Sequence, residues 1–292
     1  MKKALFIIFT LIFSLSGCST SQPQANTNSI QIAASFYPEA FLAEQIGGDF
    51  VSVYSIIPFG VEPHDFEPSP SDISHITNSK LFLYHGADLD LWASRIAAEL
   101  DTNKIAVLKA SDSVELKSGD PHFWLDPVLM RKIADSVLEK LISVDPVNRS
   151  SYEKNAEALH AKLSALNDDF INGLKDCRVR DVATSHNAFS YMARAYSFTP
   201  LSISGISPNV EPSVKDMQNL ISILKTKNIH YVTFETLSSA RISQTIADEV
   251  GAQSLVLNPI EGLTTAENNN GEDYISLMNK NLQTLRTAME CK

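Results

Sequence analysis

The sequence predicts an α/β fold of two lobes, each a four-stranded, mainly parallel sheet with flanking helices, joined by a long rigid helix. Short runs rich in β-branched and aromatic residues alternate with helical patterns in both halves of the chain. This alternation is typical of parallel strands joined by right-handed crossover helices. A long helical pattern separates the halves. The hydrophobic share of 44% is enough to bury the cores of two lobes.

The N-terminal segment has the features of a bacterial secretion signal. Two lysines precede an apolar run over residues 4–15, which is short for a membrane span. The run ends in Leu-Ser-Gly-Cys, which resembles a lipobox. We therefore predict that residues 1–17 are a cleaved signal peptide and that Cys18 is lipidated; an ordinary signal peptide with an incidental cysteine is the alternative. Residues 18–29 predict a flexible, lipidated tether that holds the protein outside the cytoplasm.

Charge and cysteine content limit the kinds of ligand and metal site that the sequence allows. With 34 acidic and 24 basic residues the net charge is −10. Such a surface argues against nucleic-acid binding and mildly favours a cationic ligand. Beyond the lipobox cysteine, only Cys177 and Cys291 remain. They are candidates for a disulfide in an oxidising compartment, but two thiols do not make a cysteine-rich metal site.

Residues 30–126 are predicted to form the first lobe and residues 177–292 the second. The strand runs of the first lobe cover 30–35, 51–57, 81–85 and 105–109. Its helical patterns lie near 38–47, 71–79 and 89–100. The strand runs of the second lobe cover 181–185, 200–204, 230–235 and 253–257. Its helical patterns lie near 187–196, 213–227, 239–250 and 272–289.

Residues 127–176 predict the connecting helix. Asp126 and Pro127 read as an N-cap followed by proline at the first helical position. Apolar residues then recur at spacings of three and four, and Asp145-Pro146 interrupts this pattern once. We predict one kinked helix that acts as a rigid spine. A helical hairpin that folds back at Pro146 is the alternative.

Three of the seven histidines are candidates for a ligand site because of their place after predicted strands. His64, His122 and His186 each lie beyond the carboxyl end of a strand, where open α/β sheets present their ligand sites. His85 also follows a strand and is a candidate for lining the cleft, but we expect its side chain to be hydrogen-bonded or exposed. The other three histidines are assigned surface or packing roles: His75, His160 and His230.

Neutral imidazole suits zinc, and a tetrahedral zinc ion needs one more donor. The candidates in the second lobe are Glu235, at the end of a strand, and Glu261, in a loop followed by a stretch over 264–273 that is predicted to be flexible. The long spacings between these residues are weak evidence, since no HExxH or CxxC pattern is present. The chemistry of these residues alone does not decide whether they form a metal site.

Four segments carry a family resemblance. They are VEPHDFEPSP (61–70), DPHFWLDP (120–127), SHNAFSYMARAY (185–196) and GISPNVEPS (205–213). In this order they resemble segments of the zinc and manganese solute-binding lipoproteins of ABC importers, over nearly all of the mature chain. The resemblance implies two α/β domains joined by a long helix. It also implies that the histidines of the first three segments bind the metal, with the glutamate of NPIE as fourth ligand: His64, His122, His186 and Glu261.

The resemblance also implies a function. It indicates a monomeric, high-affinity extracytoplasmic carrier of Zn²⁺ that works with an ABC permease and its ATPase and is not an enzyme. Manganese members replace the third histidine by a carboxylate, so His186 favours zinc. Residues 111–120 lack histidine, so an auxiliary metal-gathering loop is not expected.

Several alternatives stay open from the sequence. A manganese carrier and a surface adhesin use the same scaffold. A zinc hydrolase would need an open coordination position for water and a general base. Three acidic residues are candidates for orienting the ligands, or else for capping a helix or anchoring a loop: Asp126, Glu211 and Glu235.

Overall fold

The computed structural model describes residues 29–117 and 119–292. The predicted signal peptide, Cys18 and the tether up to residue 28 lie outside the described residues. Two four-stranded parallel sheets organise the two halves, so the predicted fold class is confirmed.

The first sheet has the strand order β2-β1-β3-β4, and the second has the equivalent order β6-β5-β7-β8. The first contains β1 (Ile30–Ala34), β2 (Val51–Ser55), β3 (Leu81–Tyr84) and β4 (Ala106–Lys109). The second contains β5 (Asp181–Thr184), β6 (Thr199–Ser202), β7 (Tyr231–Phe234) and β8 (Gln253–Val256). Pro200 lies in β6, an edge strand, where its missing N–H removes no bond that a neighbouring strand needs.

Helices cover both sheets. Those of the first half are α1 (Tyr37–Gly47), α2 (Pro70–Thr77) and α3 (Leu91–Glu99). The two central helices are α4 (Pro127–Val144) and α5 (Arg149–Leu174). Those of the second half are α6 (Ser190–Tyr196), α7 (Val214–Thr226), α8 (Arg241–Val250), α9 (Thr265–Asn269) and α10 (Tyr274–Ala288). No helix among the described residues is long and apolar enough to cross a bilayer.

The long connecting helix is α5, which begins at Arg149 and not at Pro127. Nε2 of His160 lies 3.2 Å from Oδ1 of Asp135. In one continuous helix these residues would lie about 37 Å apart, because 25 positions separate them at about 1.5 Å each. α4 and α5 therefore fold back on each other. The predicted single kinked helix over 127–176 does not form. The chain instead forms the helical hairpin that was the alternative.

The turn between α4 and α5 has a local cause. Pro146 has no N–H for a helical hydrogen bond, and the residue before a proline is driven out of the helical region. Asp145 accordingly has ψ 72°. Its Oδ2 accepts from the Tyr152 hydroxyl at 2.6 Å and from Asn148 Nδ2 at 2.7 Å, which fixes the reversal.

α5 links the two halves. Near its start, Asn155 Nδ2 donates to the carbonyl of Ile46 in α1 at 3.0 Å. Near its end, Gly173 lies so close to α10 that a Cβ there would be 3.0 Å from Leu282 Cδ1. A buried apolar stripe runs between these contacts along the helix. One continuous helix thus packs against both lobes and limits their relative motion.

A disulfide joins Cys177 to Cys291, the pair singled out in the sequence. Cys177 follows α5, and Cys291 follows α10. The backbone N–H of Lys292 also donates to the carbonyl of Asp176 at 3.0 Å. The C-terminal end of α10 is therefore fixed to the chain that leaves the long helix.

Candidate metal centre

Four side chains from separate loops meet between the two sheets. His64 lies in the loop after β2, His122 in the segment after β4, His186 directly after β5, and Glu261 after β8. One nitrogen or oxygen from each lies within 4.8 Å of all the others. We call this group of four the ligand ring. It brings together the four predicted metal-binding residues.

The spacing within the ligand ring matches a small tetrahedral ion. Glu261 Oε1 lies 3.3 Å from Nε2 of His64 and 3.3 Å from Nε2 of His122. It lies 3.4 Å from Nε2 of His186, which is itself 3.2 Å from Nε2 of His122. Bonds of about 2.0–2.1 Å to a central Zn²⁺ give a tetrahedron with edges of about 3.3–3.4 Å. Four of the six edges of the ligand ring therefore have nearly the length that a zinc tetrahedron requires.

Two facing atoms of the ligand ring have no well-placed hydrogen-bond partner within the described part of the chain. Glu261 Oε1 and His64 Nε2 are buried, and neither has a well-aligned hydrogen bond among the described residues. Buried polar atoms without a partner are costly and rare. A cation at the centre of the ligand ring satisfies both atoms at once.

Carboxylates outside the ligand ring orient two of its histidines. Asp120 Oδ1 accepts from Nδ1 of His122 at 2.8 Å, and Glu235 Oε1 accepts from Nδ1 of His186 at 2.6 Å. Each carboxylate oxygen also accepts the backbone N–H of its histidine, at 3.0 Å and 3.1 Å. With Nδ1 bonded to a carboxylate, Nε2 is the nitrogen that faces the centre of the ligand ring and, once free of its proton, can bind a metal.

The backbone directly before Glu261 has an unusual conformation. Ile260 has φ 56°, in the left-handed region that β-branched residues rarely adopt. Its N–H donates to Oδ1 of Asn258 at 2.8 Å, and Asn281 Oδ1 accepts the N–H of Asn258 at 2.8 Å. These buried bonds hold the turn in place. Strain of this kind is concentrated at functional sites.

The ring also shifts the pKa of its members. Burial alone raises the pKa of Glu261, but contacts with the three histidines outweigh this and hold it well below its usual range. Burial lowers the pKa of His186, but the hydrogen bond to Glu235 and the nearby carboxylate of Glu261 raise it overall to about 10. Before metal binds, His186 therefore carries a proton between two carboxylates.

The remaining sequence candidates lie in other roles. Glu235 is the partner of His186 and stands outside the ligand ring. Asp126 caps α4 and accepts from the N–H of Val128 at 2.8 Å. Glu211 forms an exposed ion pair with Arg241 at 3.4 Å.

The other four histidines also have partners of their own. His75 stacks on Tyr54 with ring centroids 3.7 Å apart. His160 pairs with Asp135, as described above, and His230 pairs with Glu290 at 2.8 Å. His85 is buried and bonded to Glu39 at 2.8 Å.

Sequence reasoning missed Asp120. It belongs to the segment DPHFWLDP, two residues before His122, and its carboxylate is 4% exposed. The available signal was an acidic residue close enough to a ligand histidine to bond both its backbone and its ring. Asp120 is not itself a predicted metal ligand, so the pattern of metal-binding donors gives no indication of its role.

The chain matches the family model described as zinc-uptake complex component A, periplasmic, over residues 32–288. It is similar to the high-affinity zinc uptake system protein ZnuA of Bacillus subtilis, 30% identical over 311 aligned positions that cover 99% of this chain and 98% of the relative. It is 32% identical to the zinc-binding lipoprotein AdcA of Streptococcus pneumoniae, covering 99% of this chain but 62% of that protein.

Solved structures share the architecture. The Zn(II)-bound ZnuA-like domain of Streptococcus pneumoniae AdcA superposes with a TM-score of 0.82 at 34% identity, covering 90% of this chain and 99% of that domain. The laminin-binding protein Lmb of Streptococcus agalactiae, described as a bifunctional protein with adhesin and metal-transporting activity, gives 0.82 at 30% identity, covering 89% and 100%. The family match spans most of the chain, and the ligand ring lies within it. The chain belongs to the family of periplasmic zinc-uptake complex component A.

Proposed function

We propose that this chain is the extracytoplasmic zinc-binding subunit of an ABC-type importer. It takes up one Zn²⁺ between its lobes and passes it to a membrane permease driven by an ATPase partner. The observation that carries the proposal is the ligand ring, whose donor atoms have tetrahedral zinc spacing. The zinc-uptake family to which the chain belongs supports the same function.

The site is built for carriage and not for catalysis. Hydrolytic zinc sites hold the metal with three protein ligands and keep a fourth position for water. Here Glu261 stands in the fourth position and is 1% exposed. A bound ion is therefore fully coordinated by the protein, and we expect reversible binding without turnover.

The donor set also favours zinc over manganese. Three imidazole nitrogens and one carboxylate in a tetrahedral array suit Zn²⁺, whereas Mn²⁺ prefers six oxygen-rich ligands. Elemental analysis of protein purified without added metal tests the proposal. We expect one zinc per chain, retained against excess Mn²⁺. Recovery of manganese in place of zinc would overturn the choice of metal.

We further propose that diacylation of Cys18 holds the protein on the outer side of a bacterial membrane. The lipobox-like sequence supports this, and relatives named as lipoproteins agree. Intact-mass analysis of the membrane fraction tests it, with acylated Cys18 as the first residue of the mature chain. A soluble chain that retains residues before Cys18 would contradict it.

A second candidate function is adhesion, which the similarity to Lmb favours. Both activities are compatible on one surface protein. Binding of the zinc-loaded protein to immobilised laminin decides this point, because adhesion requires saturable binding and a carrier alone gives none.

Release of zinc requires some part of the ligand ring to move, and the segment carrying His122 is firmly held. Trp124 Nε1 donates to the carbonyl of Pro259 at 2.7 Å. The hydroxyl of Tyr274 donates to the carbonyl of Trp124 at 2.6 Å. These buried bonds join the segment to the second lobe. We therefore expect release to proceed through a loop and not through wide opening of the lobes.

The loop that carries His64 is held more weakly. At the start of this loop the backbone N–H of Gly60 donates to the carbonyl of Leu263 at 2.8 Å. Around His64 itself the loop reaches the second lobe through exposed hydrogen bonds, since the Asn209 amide donates to Glu62 Oε2 at 2.9 Å and to Asp65 Oδ2 at 2.7 Å. Glu62 Oε1 in turn accepts the backbone N–H of His64 at 3.0 Å. Asn209 therefore connects the second lobe to the chain on both sides of this ligand.

Replacing Asn209 with aspartate removes the donor and adds a third negative charge beside Glu62 and Asp65. Hydrogen bonds to charged groups contribute about 1.5–3 kcal/mol, so we expect zinc to dissociate about tenfold faster. Stopped-flow transfer of zinc to a chelator measures the rate. Asn103→Asp is the matched control, because Asn103 also donates to a carboxylate, Asp101, at 3.1 Å within the first lobe. Equal rates for the two variants would contradict the role of Asn209.

Zinc binding is also expected to release a proton. The pKa of His186 is raised to about 10 in the metal-free site, and its Nε2 must lose that proton to bind zinc. Affinity should therefore rise with pH, by about tenfold per unit for one proton, up to about pH 10, and fall as the pH is lowered. Calorimetry at pH 8 in buffers of different protonation enthalpy counts the protons. We expect about one per zinc, and none would contradict this account.

A further inference from the structure

A buried histidine–glutamate pair lies behind the ligand ring without belonging to it. Glu39 is in the first turn of α1, and His85 follows β3. The relative exposure is 2% for Glu39 and 0% for His85. Nδ1 of His85 lies 2.8 Å from Oε1 of Glu39. Carriage of zinc, as proposed above, assigns these two residues no part.

The second ring nitrogen of His85 identifies the group to which the pair is bonded. Nε2 lies 2.7 Å from the carbonyl oxygen of Pro121. A carbonyl oxygen only accepts, so Nε2 must carry a hydrogen. The remaining proton lies between Nδ1 and Glu39, and in either position the pair is neutral overall. The pair thus donates one fixed hydrogen bond to Pro121, the residue before the zinc ligand His122.

The segment carrying His122 is wrapped around the His85 ring. Phe123, on the other side of the ligand, stacks on the imidazole with centroids 4.0 Å apart and planes 10° apart. Trp124 meets the same ring edge-on, with centroids 5.0 Å apart. The backbone N–H of Phe123 also donates to the Pro121 carbonyl at 2.8 Å. His85 therefore contacts the chain on both sides of His122.

His85 is held in place by hydrogen bonds within the first lobe. Its backbone N–H donates to Ser35 Oγ at 3.2 Å and to Asp90 Oδ2 at 2.7 Å. Ser35 follows β1, and Asp90 precedes α3. His85 therefore links the first sheet to the segment that carries His122.

We propose that His85 and Glu39 are positioning residues for zinc binding, which fix the Pro121 carbonyl and so place Nε2 of His122 in the ligand ring. The inference rests on the proposed zinc-carrier function. Asp120 sets the rotation of the His122 ring, whereas the His85–Glu39 pair sets the position of its backbone.

Stability alone does not account for the pair. Replacing a buried ion pair with apolar residues of similar volume is often neutral or stabilising, because desolvation opposes the attraction between the charges. A hydrogen bond to one chosen carbonyl is different, because no apolar residue provides it. The benefit of the pair is therefore geometric, and a measurement of ligand geometry detects it.

The test uses the full mature protein with cobalt(II) as a spectroscopic probe and zinc as the ligand. The double variant Glu39→Leu/His85→Phe keeps an aromatic ring against Phe123 but removes the bond to Pro121. We expect the metal-free protein to stay folded. Zinc affinity should fall about tenfold or more, the range seen when groups that support metal ligands are removed. The cobalt absorption bands should shift as the tetrahedron distorts.

Two single variants separate position from packing, and they decide the question if the double variant does not fold. The His85→Gln amide nitrogen reaches the place of Nε2 and should keep affinity near that of the natural protein. The shorter amide of His85→Asn reaches only Glu39 and should lose affinity. His230→Phe is the matched control, because His230 bonds Nδ1 to Glu290 at 2.8 Å on the surface.

Equal zinc affinity and equal cobalt spectra for the Gln and Asn variants would overturn the inference, as would a folded double variant that binds like the natural protein. Failure of the natural protein to bind zinc would instead refute the proposed function. The two failures are therefore distinguishable.

Discussion

Replacing His122 with alanine is expected to reduce zinc affinity by about a hundred- to a thousandfold. Four-ligand zinc sites contribute about 10–16 kcal/mol at neutral pH, so the loss of one ligand removes about a quarter of that. His122 is fully buried and makes ring contacts with Glu261 and His186. Removing the ring leaves a gap and takes from the buried carboxylate of Asp120 its bond to Nδ1, while the backbone N–H of residue 122 still donates to it.

Competition with a chelator of known affinity measures this loss. His64→Ala and His186→Ala should behave similarly, because each removes one corner of the same tetrahedron. His75→Ala and His160→Ala serve as controls, since their partners are Tyr54 and Asp135, both outside the ligand ring. An affinity for His122→Ala equal to that of the natural protein would remove it from the site.

The second large effect concerns the two buried glutamates. Glu261→Ala is expected to keep the fold and to bind zinc through the three histidines, with water in the fourth position. Affinity should fall by about a hundredfold, since a partly buried dication loses its only anionic ligand. Dissociation should quicken in proportion, because fewer protein bonds hold the ion.

Glu235→Ala should lower the stability of the fold more than it lowers the affinity for zinc. Its carboxylate bonds both Nδ1 and the backbone N–H of His186, and it is buried. Leaving these donors unsatisfied should lower the free energy of unfolding of the metal-free protein by about 1–3 kcal/mol. Zinc affinity should fall less than in Glu261→Ala. Chemical denaturation with and without zinc separates the two effects, and the reverse ranking of the variants would contradict the assignment.

Strand positions and the candidate histidines were predictable because both depend on local pattern, whereas the role of these histidines as metal ligands rested on the family resemblance. Short β-rich runs alternate with helices, and the carboxyl ends of parallel strands gather at one edge of a sheet. His64, His122 and His186 follow such ends, and the structure brings them together. The choice between Glu235 and Glu261 depended on family resemblance, because local sequence does not tell which carboxylate faces the cleft.

The features that the sequence left open depend on tertiary contacts. The apolar spacing across Asp145-Pro146 is the same for one kinked helix and for a hairpin. The contact between Asp135 and His160, far apart in sequence, decides for the hairpin. The stretch over 264–273, predicted to be flexible, contains α9 because Thr264 and Glu267 form a capping box at its start. Glu39 and His85, 46 residues apart, also gave no local signal of their pairing.

The central claim is that one zinc ion is held by three histidines and Glu261 between the two lobes. A crystal structure of the zinc-loaded protein, with anomalous scattering measured at the zinc edge, tests it most directly. We expect a single ion about 2.0–2.2 Å from Nε2 of His64, His122 and His186 and from a carboxylate oxygen of Glu261. An ion bound by Glu235 with Glu261 turned to solvent, or an ion outside the ligand ring, would contradict this account.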